Sequence, residues 1–263
     1  MSKSHLAATI VIPTFNRAEL LPFAIDSALS QSVSCEVIVV DHGSTDGTYA
    51  AVARYGDRIK YIHRDKDFGP HFCWLEGVLS ATTDLVHLQF DDDWIEPTFI
   101  ESCLSVIGPN VGFAFCSAHI LKHATSEIIR TQFSGWLPAT GVYKKSRLEK
   151  KILSTLISPA CALYRKQILL DSLYQGRLPL ATAEYKGVGP DCLVTLLSML
   201  RYDAIGYVKE PLAIFRAHDG SITVDASENP VKERQIKRAY TEVKRYYREM
   251  KLLKFLRKVR GWN

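Results

Sequence analysis

Three adjacent carboxylates, Asp91, Asp92 and Asp93, are the residues of this sequence with the clearest capacity for chemistry. Carboxylates this close repel one another, so they need compensation from basic side chains or from a divalent cation. Their hard oxygen atoms favour Mg2+ or Mn2+, and these cations also bind the oxygens of a diphosphate. The alternative is a solvated acidic turn before a helix near Pro97, and three aspartates alone do not decide between the two.

The elements that must position these aspartates follow from the hydrophobic pattern of the first half. Continuous apolar runs predict buried strands at Thr9–Ile12, Val37–Val40, Ile59–Ile62 and Leu85–Phe90, and helical spacing predicts helices at Leu20–Leu29 and Phe72–Ser80. Strands and helices that alternate in this way indicate a parallel sheet covered on both faces. We expect Asn16 to cap the first helix and Pro22 to kink it.

A polar segment follows each of these four strands. Ligands of parallel α/β sheets bind beyond the carboxyl ends of the strands, so the four segments are predicted to converge on one binding edge. The segments are Pro13-Thr14, Asp41-His42, Asp65 to Gly69, and Asp91 to Asp93.

The second half of the chain is less regular. The predicted strands are Val111–Ala118, Ala204–Val208 and Leu212–Phe215, and Arg216, Ala217 and His218 follow the last of them. Pro190 and Asp191 open a predicted helix that runs to Leu200. Val231–Val259 predicts an amphipathic helix or a pair of helices.

Composition limits the class of protein. The chain has 263 residues, of which 47% are hydrophobic and 23% charged, a composition typical of a folded domain. It has no apolar run of about 18 residues, and Pro13 interrupts the one near the start, so neither a membrane span nor a signal peptide is predicted. The six cysteines form no CxxC pair, which favours small buried residues in a reducing cytoplasm.

The positive charge is concentrated at the end of the sequence. Residues 228–263 carry a net charge of +8, which leaves −3 for residues 1–227. This segment can lie on an anionic membrane, bind nucleic acid, or pack on the body through Ile236, Val243, Met250 and Leu253. We expect packing for its first half and membrane proximity for Lys244 to Arg260, and no nucleic-acid partner.

Four segments in order give a resemblance to a known family. They are TIVIPTFNRAELLPFAIDSALSQS, EVIVVDHGSTDGT, GPHFCWLEGVLSATTDLVHLQFDDDWIEP and PLAIFRAHDGSIT. They resemble the successive signatures of the family 2 glycosyltransferases of GT-A fold, from about Thr9 to Thr223. The resemblance implies an α/β fold with a Rossmann-like, mostly parallel central sheet flanked by helices. It implies a nucleotide-sugar-binding half at 1–117 and an acceptor-binding half at 118–227, followed by a basic helical tail at 228–263.

The same resemblance assigns roles to individual residues. Asp41 matches the acid that binds the base, and Asp91 is assigned to the ribose because Phe90 replaces the usual first acid of the DxD region. Asp92 and Asp93 are assigned to the metal and diphosphate, with His218 as a distant metal partner. The remaining implied contacts with the nucleotide-sugar are Pro13, Thr14, Phe15, Arg17, Gly69 and Trp74.

Asp191 matches the residue that acts as general base in the family. A single carboxylate suffices for inversion, because the acceptor hydroxyl attacks the anomeric carbon directly while the base takes its proton. The other interpretation is a first-turn acid favoured by the helix dipole.

The activity implied is inverting transfer of a hexosyl group from a UDP- or dTDP-sugar to a surface glycan or lipid-linked acceptor, with Mn2+ or Mg2+. The expected location is the cytoplasm, at the inner face of the membrane. Two alternatives stay open. Departures at His42, Phe90, Trp74 and Pro190 allow a non-catalytic glycan-binding or assembly subunit. A nucleotidyltransferase ranks lower, since PTFNR stands where its glycine-rich phosphate loop belongs.

Overall fold

One mixed sheet of ten strands organises the protein. The computed structural model describes residues 6–173, 178, 189–218 and 230–261. The strands are β1 Ala8–Thr14, β2 Cys35–His42, β3 Lys60–Arg64, β4 Leu85–Leu88, β5 Trp94–Ile95, β6 Val111–Lys122, β7 Ile128–Gln132, β8 Gly141–Lys144, β9 Ala162–Arg165 and β10 Ala204–Ala217. The helices are α1 Leu21–Leu29, α2 Thr48–Ala53, α3 Pro70–Ser80, α4 Phe99–Leu104, α5 Glu149–Ser154, α6 Lys166–Ser172, α7 Pro190–Arg201 and α8 Pro230–Val259, and short 3-10 turns span Gly56–Arg58, Lys145–Arg147 and Pro159–Cys161.

The sheet order is β3-β2-β1-β4-β9-β6-β10-β5, with β7 beside β6 and β8 beside β10. β1 pairs in parallel with β2 and β4, and β2 pairs in parallel with β3. The carboxyl ends of these strands therefore lie side by side, and Thr14 is the register partner of Asp41. The predicted parallel strands β1 to β4 are present, and their carboxyl ends lie at one edge of the sheet.

The second half joins the sheet through an antiparallel strand. β9 pairs antiparallel with both β4 and β6, so β6 runs in the direction of β4, and β10 pairs in parallel with β6. We expected two strands at 204–208 and 212–215, but the structure has one continuous β10. Its register shifts on either side of Pro211, which cannot donate a ladder hydrogen bond. The end of β10 thereby reaches the β4 edge.

Two predictions for the first helix are wrong: the kink at Pro22 and the cap by Asn16. Leu21, Ala24, Ile25 and Ala28 are buried at helical spacing, as predicted. Pro22 lies in the first turn of α1, where its missing N–H is harmless, so it causes no kink. Asn16 does not cap α1; its Oδ1 accepts a hydrogen bond from the Thr45 backbone N–H at 2.8 Å.

A close approach of α3 to the sheet depends on Gly77. A Cβ atom at this position would lie 2.2 Å from Val11 Cγ1 and 3.1 Å from Val40 Cγ2. Only glycine therefore lets α3 pack this tightly over β1 and β2. The contact holds the start of α3, with its preceding loop, beside the carboxyl ends of these strands.

The basic tail forms one helix, α8, which packs against α7. Ala239, Val243 and Tyr247 are buried at intervals of four residues, while every described side chain from Lys251 onward is exposed. Packing through Leu253, one of the possibilities for this segment, does not occur, since its side chain is 51% exposed. Within the described ranges, no helix combines the length and apolarity that a membrane span requires.

Candidate functional site

Asp91 joins the ends of β4 and β1. The Thr14 hydroxyl donates to Asp91 Oδ2 at 2.8 Å. Burial and the adjacent Asp92 raise the pKa of Asp91 to about 7, although the Thr14 hydrogen bond and the charge of Arg17 act in the opposite direction. Arg17 therefore lies within electrostatic reach of the acidic cluster. Pro13 is buried at the same edge, and Phe15 is 46% exposed beside it.

Asp93 joins the cluster to the end of β10. Its Oδ1 accepts a hydrogen bond from the Arg216 backbone N–H at 3.0 Å, across 123 residues of sequence. Burial raises the pKa of Asp93 well above its ordinary range, and the Asp92 carboxylate adds to this effect. Asp93 thus lies at the junction of the two halves of the sheet.

Asp92 pairs with His218. The distance from His218 Nε2 to Asp92 Oδ2 is 3.0 Å, and both side chains are largely buried. The structure brings together the aspartate and the distant histidine that the resemblance associates with one metal. Their role as ligands stays a prediction. Residues 219–223, which complete the matching segment, lie outside the described part of the chain.

The donor chemistry of this cluster suits a hard divalent cation. Asp92 and Asp93 offer carboxylate oxygens. Burial raises the pKa of Asp93 most and the adjacent Asp92 raises it further, a repulsion that a cation would offset. Among the described residues, no three His, Cys, Asp or Glu side chains form a ready-made metal centre. A cation at this position would take few ligands from the described residues and would need other ligands, such as phosphate oxygens and water, which Mg2+ commonly keeps.

Arg216 is held beside the cluster by aromatic rings. Its Cζ lies 4.8 Å from the Phe23 ring centroid and 4.9 Å from that of Trp94. Guanidinium groups are attracted to aromatic faces, so the two rings fix the position of this cation. Desolvation lowers the pKa of Arg216, but an arginine stays charged over the physiological range. The positive charge is therefore permanent at this edge.

Asp41 is almost fully buried, with 1% of its area exposed. Its Oδ1 accepts from the Ser44 backbone N–H at 3.0 Å, and its Oδ2 accepts from the Tyr61 hydroxyl at 2.6 Å. His63 Nδ1 lies 3.3 Å from the same Oδ2. The sequence prediction missed Tyr61 and His63. They alternate along β3, and the parallel register pairs His63 with Asp41, a relation that the local sequence pattern does not reveal.

His42 belongs to a separate ionic network. Its Nε2 lies 3.0 Å from Glu76 Oε2, and Arg64 donates two further hydrogen bonds to Glu76 from its Nε at 2.9 and 3.1 Å. The Arg64 hydrogen bond is the main reason that the pKa of Glu76 is lowered. The network ties β2 and β3 to α3, which gives the unusual residue after Asp41 a structural role.

The loop before α3 contains Gly69, and α3 itself contains Trp74; the resemblance assigns both residues to the donor site. Gly69 has a φ of 88° at the N-terminus of α3, and its N–H donates to Asp67 Oδ1 at 2.7 Å. This backbone conformation favours glycine. Trp74 is only 6% exposed and stacks on Phe90, with ring centroids 5.5 Å apart. Its indole packs in the core, and its contact with the donor stays a prediction.

Asp191 lies in the first turn of α7. Its Oδ1 accepts a hydrogen bond from the Cys192 backbone N–H at 2.8 Å, and its Oδ2 accepts one from the Tyr240 hydroxyl of α8 at 3.0 Å. Burial is the main cause that raises the pKa of Asp191. The Pro159–Cys161 turn packs against α7 and also against β4 and β10, so it lies between the Asp191 helix and the strands of the acidic cluster. Residues 179–188, part of the predicted acceptor segment, lie outside the described ranges.

Ligands of α/β sheets bind beyond the carboxyl ends of parallel strands, and the acidic cluster lies at such an edge, where β1, β2 and β4 run in parallel. The family model for glycosyl transferase family 2 matches residues 9–173, which is more than half of the chain, and the chain belongs to this family. The GalNAc(5)-diNAcBac-PP-undecaprenol beta-1,3-glucosyltransferase of Campylobacter jejuni is 26% identical over 84% of this chain and 68% of its own length. An uncharacterized glycosyltransferase of Rickettsia bellii is 43% identical over 25% of this chain, but the match spans only 10% of that protein.

Solved structures show the same fold at low identity. S. aureus TarS in complex with UDP-GlcNAc is 18% identical, with a TM-score of 0.64 over 87% of this chain and 70% of that one. Glucosyl-3-phosphoglycerate synthase from Mycobacterium tuberculosis, in complex with Mn2+, UDP and glucosyl-3-phosphoglycerate, is 16% identical. Its TM-score is 0.58 over 92% of this chain and 81% of that one. The chain therefore has the GT-A fold that its motifs predicted.

Replacing Tyr61 with Phe removes a donor from the buried Asp41 carboxylate. A buried acceptor that loses a partner costs about 1–3 kcal/mol, so we expect Tyr61→Phe to lower the free energy of unfolding by that amount. Urea denaturation measures the change. Tyr49→Phe is the matched control, because Tyr49 is 68% exposed and contacts only the Tyr61 ring in the described contacts. Equal stability of the two variants would contradict the Asp41 geometry.

Proposed function

We propose that this family 2 member is an inverting, metal-assisted hexosyltransferase. It moves a sugar from a UDP- or dTDP-sugar to a hydroxyl of a surface glycan or lipid-linked oligosaccharide. The observation that carries the proposal is the convergence of three aspartates with Arg216 and His218 at the carboxyl edge of the sheet. The names of the Campylobacter relative and of the UDP-bound neighbours support a nucleotide-sugar donor and a lipid-linked acceptor.

The donor base binds beside Asp41, which accepts a hydrogen bond from the imide N3–H of uracil or thymine. Each carboxylate oxygen has two lone pairs, so the bonds from Ser44 and Tyr61 leave acceptor capacity for the base. Asp91 accepts a hydrogen bond from a ribose hydroxyl or donates one to it. The other donor contacts that we propose are Pro13, Thr14, Phe15, Arg17 and Gly69.

The diphosphate binds between Asp92, Asp93 and Arg216. Asp92 and Asp93 would hold Mn2+ or Mg2+, which would supply positive charge beside the leaving nucleotide diphosphate. His218, whose Nε2 lies 3.0 Å from Asp92 Oδ2, is the third metal ligand that we propose. The Arg216 guanidinium, fixed between Phe23 and Trp94, contacts a phosphate oxygen. Mn2+ in the mycobacterial neighbour supports this assignment.

Asp191 is the general base. The acceptor oxygen forms a bond with the anomeric carbon, the bond from that carbon to the diphosphate oxygen breaks, and the acceptor proton passes to Asp191. The anomeric configuration inverts because attack comes from the side opposite the leaving group. Burial raises the pKa of Asp191, which makes its carboxylate a stronger base than an exposed aspartate.

A non-catalytic glycan-binding or assembly subunit is the second candidate. It is favoured by the fact that Asp92 and Asp191 are both already engaged by side chains of the chain itself, His218 and Tyr240. Release of free UDP from a UDP-sugar with Mn2+ and acceptor separates the two candidates, because a binding module releases none.

The exposed end of α8 supports contact with a membrane surface at the cytoplasmic face. Its apolar side chains alternate with cations, and a cationic amphipathic helix binds anionic lipids through both. The exposed apolar residues are Leu252, Leu253, Phe255, Leu256 and Val259, each 38–68% exposed, and the cations are Lys251, Lys254, Arg257, Lys258 and Arg260. This location would bring the protein to a lipid-linked acceptor.

Asp191→Asn should lower the rate of sugar transfer by about 10²–10⁴-fold, because an amide does not take the acceptor proton. The measurement is UDP release from a UDP-sugar panel with Mn2+ and a lipid-linked oligosaccharide acceptor. Binding of UDP with Mn2+, measured by calorimetry, should stay unchanged. Asp203→Asn is the control, since this exposed aspartate pairs only with Lys145 in the described ion pairs. Substantial transfer by Asp191→Asn would remove Asp191 as the base.

Asp92→Ala and Asp93→Ala should each weaken the Mn2+-dependent binding of UDP by about tenfold or more, which equals about 1.4 kcal/mol. UDP affinity is measured by calorimetry with Mn2+ and with EDTA. Asp191→Asn is the control, because it should retain the Mn2+ effect. The metal assignment is wrong if all three variants respond to Mn2+ as the parent protein does.

Leu252→Ser combined with Phe255→Ser should reduce co-sedimentation with phosphatidylglycerol vesicles several-fold, because it removes apolar area that enters the lipid interface. Binding of the parent protein should fall in high salt and with phosphatidylcholine vesicles. Ile128→Ser with Ile129→Ser is the control, since these β7 residues are similarly exposed, at 52% and 56%. An equal loss in both double variants, or none in either, contradicts a role for α8.

A further inference from the structure

We propose that Tyr240 is a positioning residue for the general base and that α8 completes the catalytic site. The inference rests on the proposed role of Asp191. The Tyr240 hydroxyl donates to Asp191 Oδ2 at 3.0 Å, across 49 residues of sequence. The helix that carries the exposed basic surface therefore also contacts the residue that takes the acceptor proton.

Tyr240 is a side-chain donor that adds to the backbone donors of the Asp191 carboxylate. The Cys192 backbone N–H donates to Oδ1 at 2.8 Å, and the Tyr240 hydroxyl donates to Oδ2 at 3.0 Å. The backbone donors, which include Gly189, all belong to the start of α7, whereas the hydroxyl holds Oδ2 from a second helix. Each oxygen keeps a second lone pair, so the acceptor hydroxyl can still donate its proton.

Contacts along α8 hold Tyr240 in place. Ala239 and Val243 are buried on either side of it in sequence. Further along the helix, the Tyr247 hydroxyl donates to Glu149 Oε1 at 2.8 Å, and Lys254 Nζ donates to the Leu200 carbonyl at 2.6 Å. Leu200 lies at the end of α7 and Asp191 at its start, so α8 is attached to both ends of the helix that carries the base.

The electrostatic surroundings of Asp191 indicate what the tyrosine does. Burial raises the pKa of Asp191, whereas the hydrogen bond from Tyr240 lowers it because the hydroxyl stabilises the charged form. The other titratable groups around this position are Cys192 on α7, Lys244 on α8, Tyr164 on β9 and Cys161 in the preceding turn. On α6, Asp171 pairs with Arg201 at the opposite end of α7.

The direction of the pH effect follows. The base works as a carboxylate, so the rate falls as the pH falls through the pKa of Asp191. Without the Tyr240 hydroxyl this pKa rises, and the acid limb of the rate profile moves to higher pH. Because raising the pKa opposes ionisation, the loss of rate should be greatest at low pH and smaller on the alkaline side.

The test is Tyr240→Phe, assayed for sugar transfer across the pH range with Mn2+ and with the donor concentration varied up to saturation. We expect kcat near neutral pH to fall about tenfold, the KM for the donor to stay unchanged, and the acid limb to move to higher pH. Tyr246→Phe is the matched control, because this partly buried tyrosine of the same helix packs on the core. Its profile should superimpose on that of the parent protein.

The outcomes separate this inference from the proposed function. If Asp191→Asn stays active, the base assignment fails, whatever Tyr240→Phe does. If Asp191→Asn is inactive while the acid limb of Tyr240→Phe coincides with that of the parent, the positioning role is wrong. The position of the limb does not depend on the concentration of active enzyme, so partial unfolding of the variant does not obscure this result.

Discussion

The crowding of three carboxylates at the end of β4 is the constraint on which the rest of the site depends. Each aspartate receives a different partner: Thr14 for Asp91, His218 for Asp92 and the Arg216 backbone for Asp93. These partners come from β1 and from the end of β10, so the acidic cluster is stable only when both halves of the sheet are in place. The pKa values of Asp91 and Asp93 are nevertheless raised, chiefly because both carboxyl groups are buried and further because Asp92 is adjacent.

The sheet topology brings these partners together. Parallel pairing places Thr14 beside Asp41 and aligns both strands with β4. The antiparallel β9 then extends the sheet beyond β4, and its pairing with β6 sets β6 and β10 in the direction of β4. The end of β10 consequently arrives at the same edge, 123 residues after the aspartates. A domain boundary at 117 would fall within β6, so the two predicted halves share one sheet.

Hydrophobic runs were sufficient to predict β1 to β4, and the polar residues after each run were sufficient to predict the polar edge of the sheet. Strand formation and strand ends both depend on local sequence. The contacts of Asp41 with Tyr61 and of Asp191 with Tyr240 depend on strand register and helix packing, which local patterns do not encode. The burial of Trp74 likewise depends on packing, because its ring stacks on Phe90 only when α3 lies over the sheet. Pro22 was misjudged for a smaller reason: α1 begins one residue before it, so the proline falls in the first turn.

The negative charge around the site gives significance to the aromatic contacts of Arg216 with Phe23 and Trp94. Residues 1–227 have a net charge of −3, and the site itself contains three aspartates, so the nucleotide diphosphate that we propose as part of the donor would meet unfavourable charge on approach. Binding therefore requires local cations. If an arginine were held only by ion pairs with the aspartates, those carboxylates would neutralise its charge. Phe23 and Trp94 instead contact the guanidinium group, whose Cζ lies 4.8 and 4.9 Å from their ring centroids, so its position rests on the rings as well as on charge.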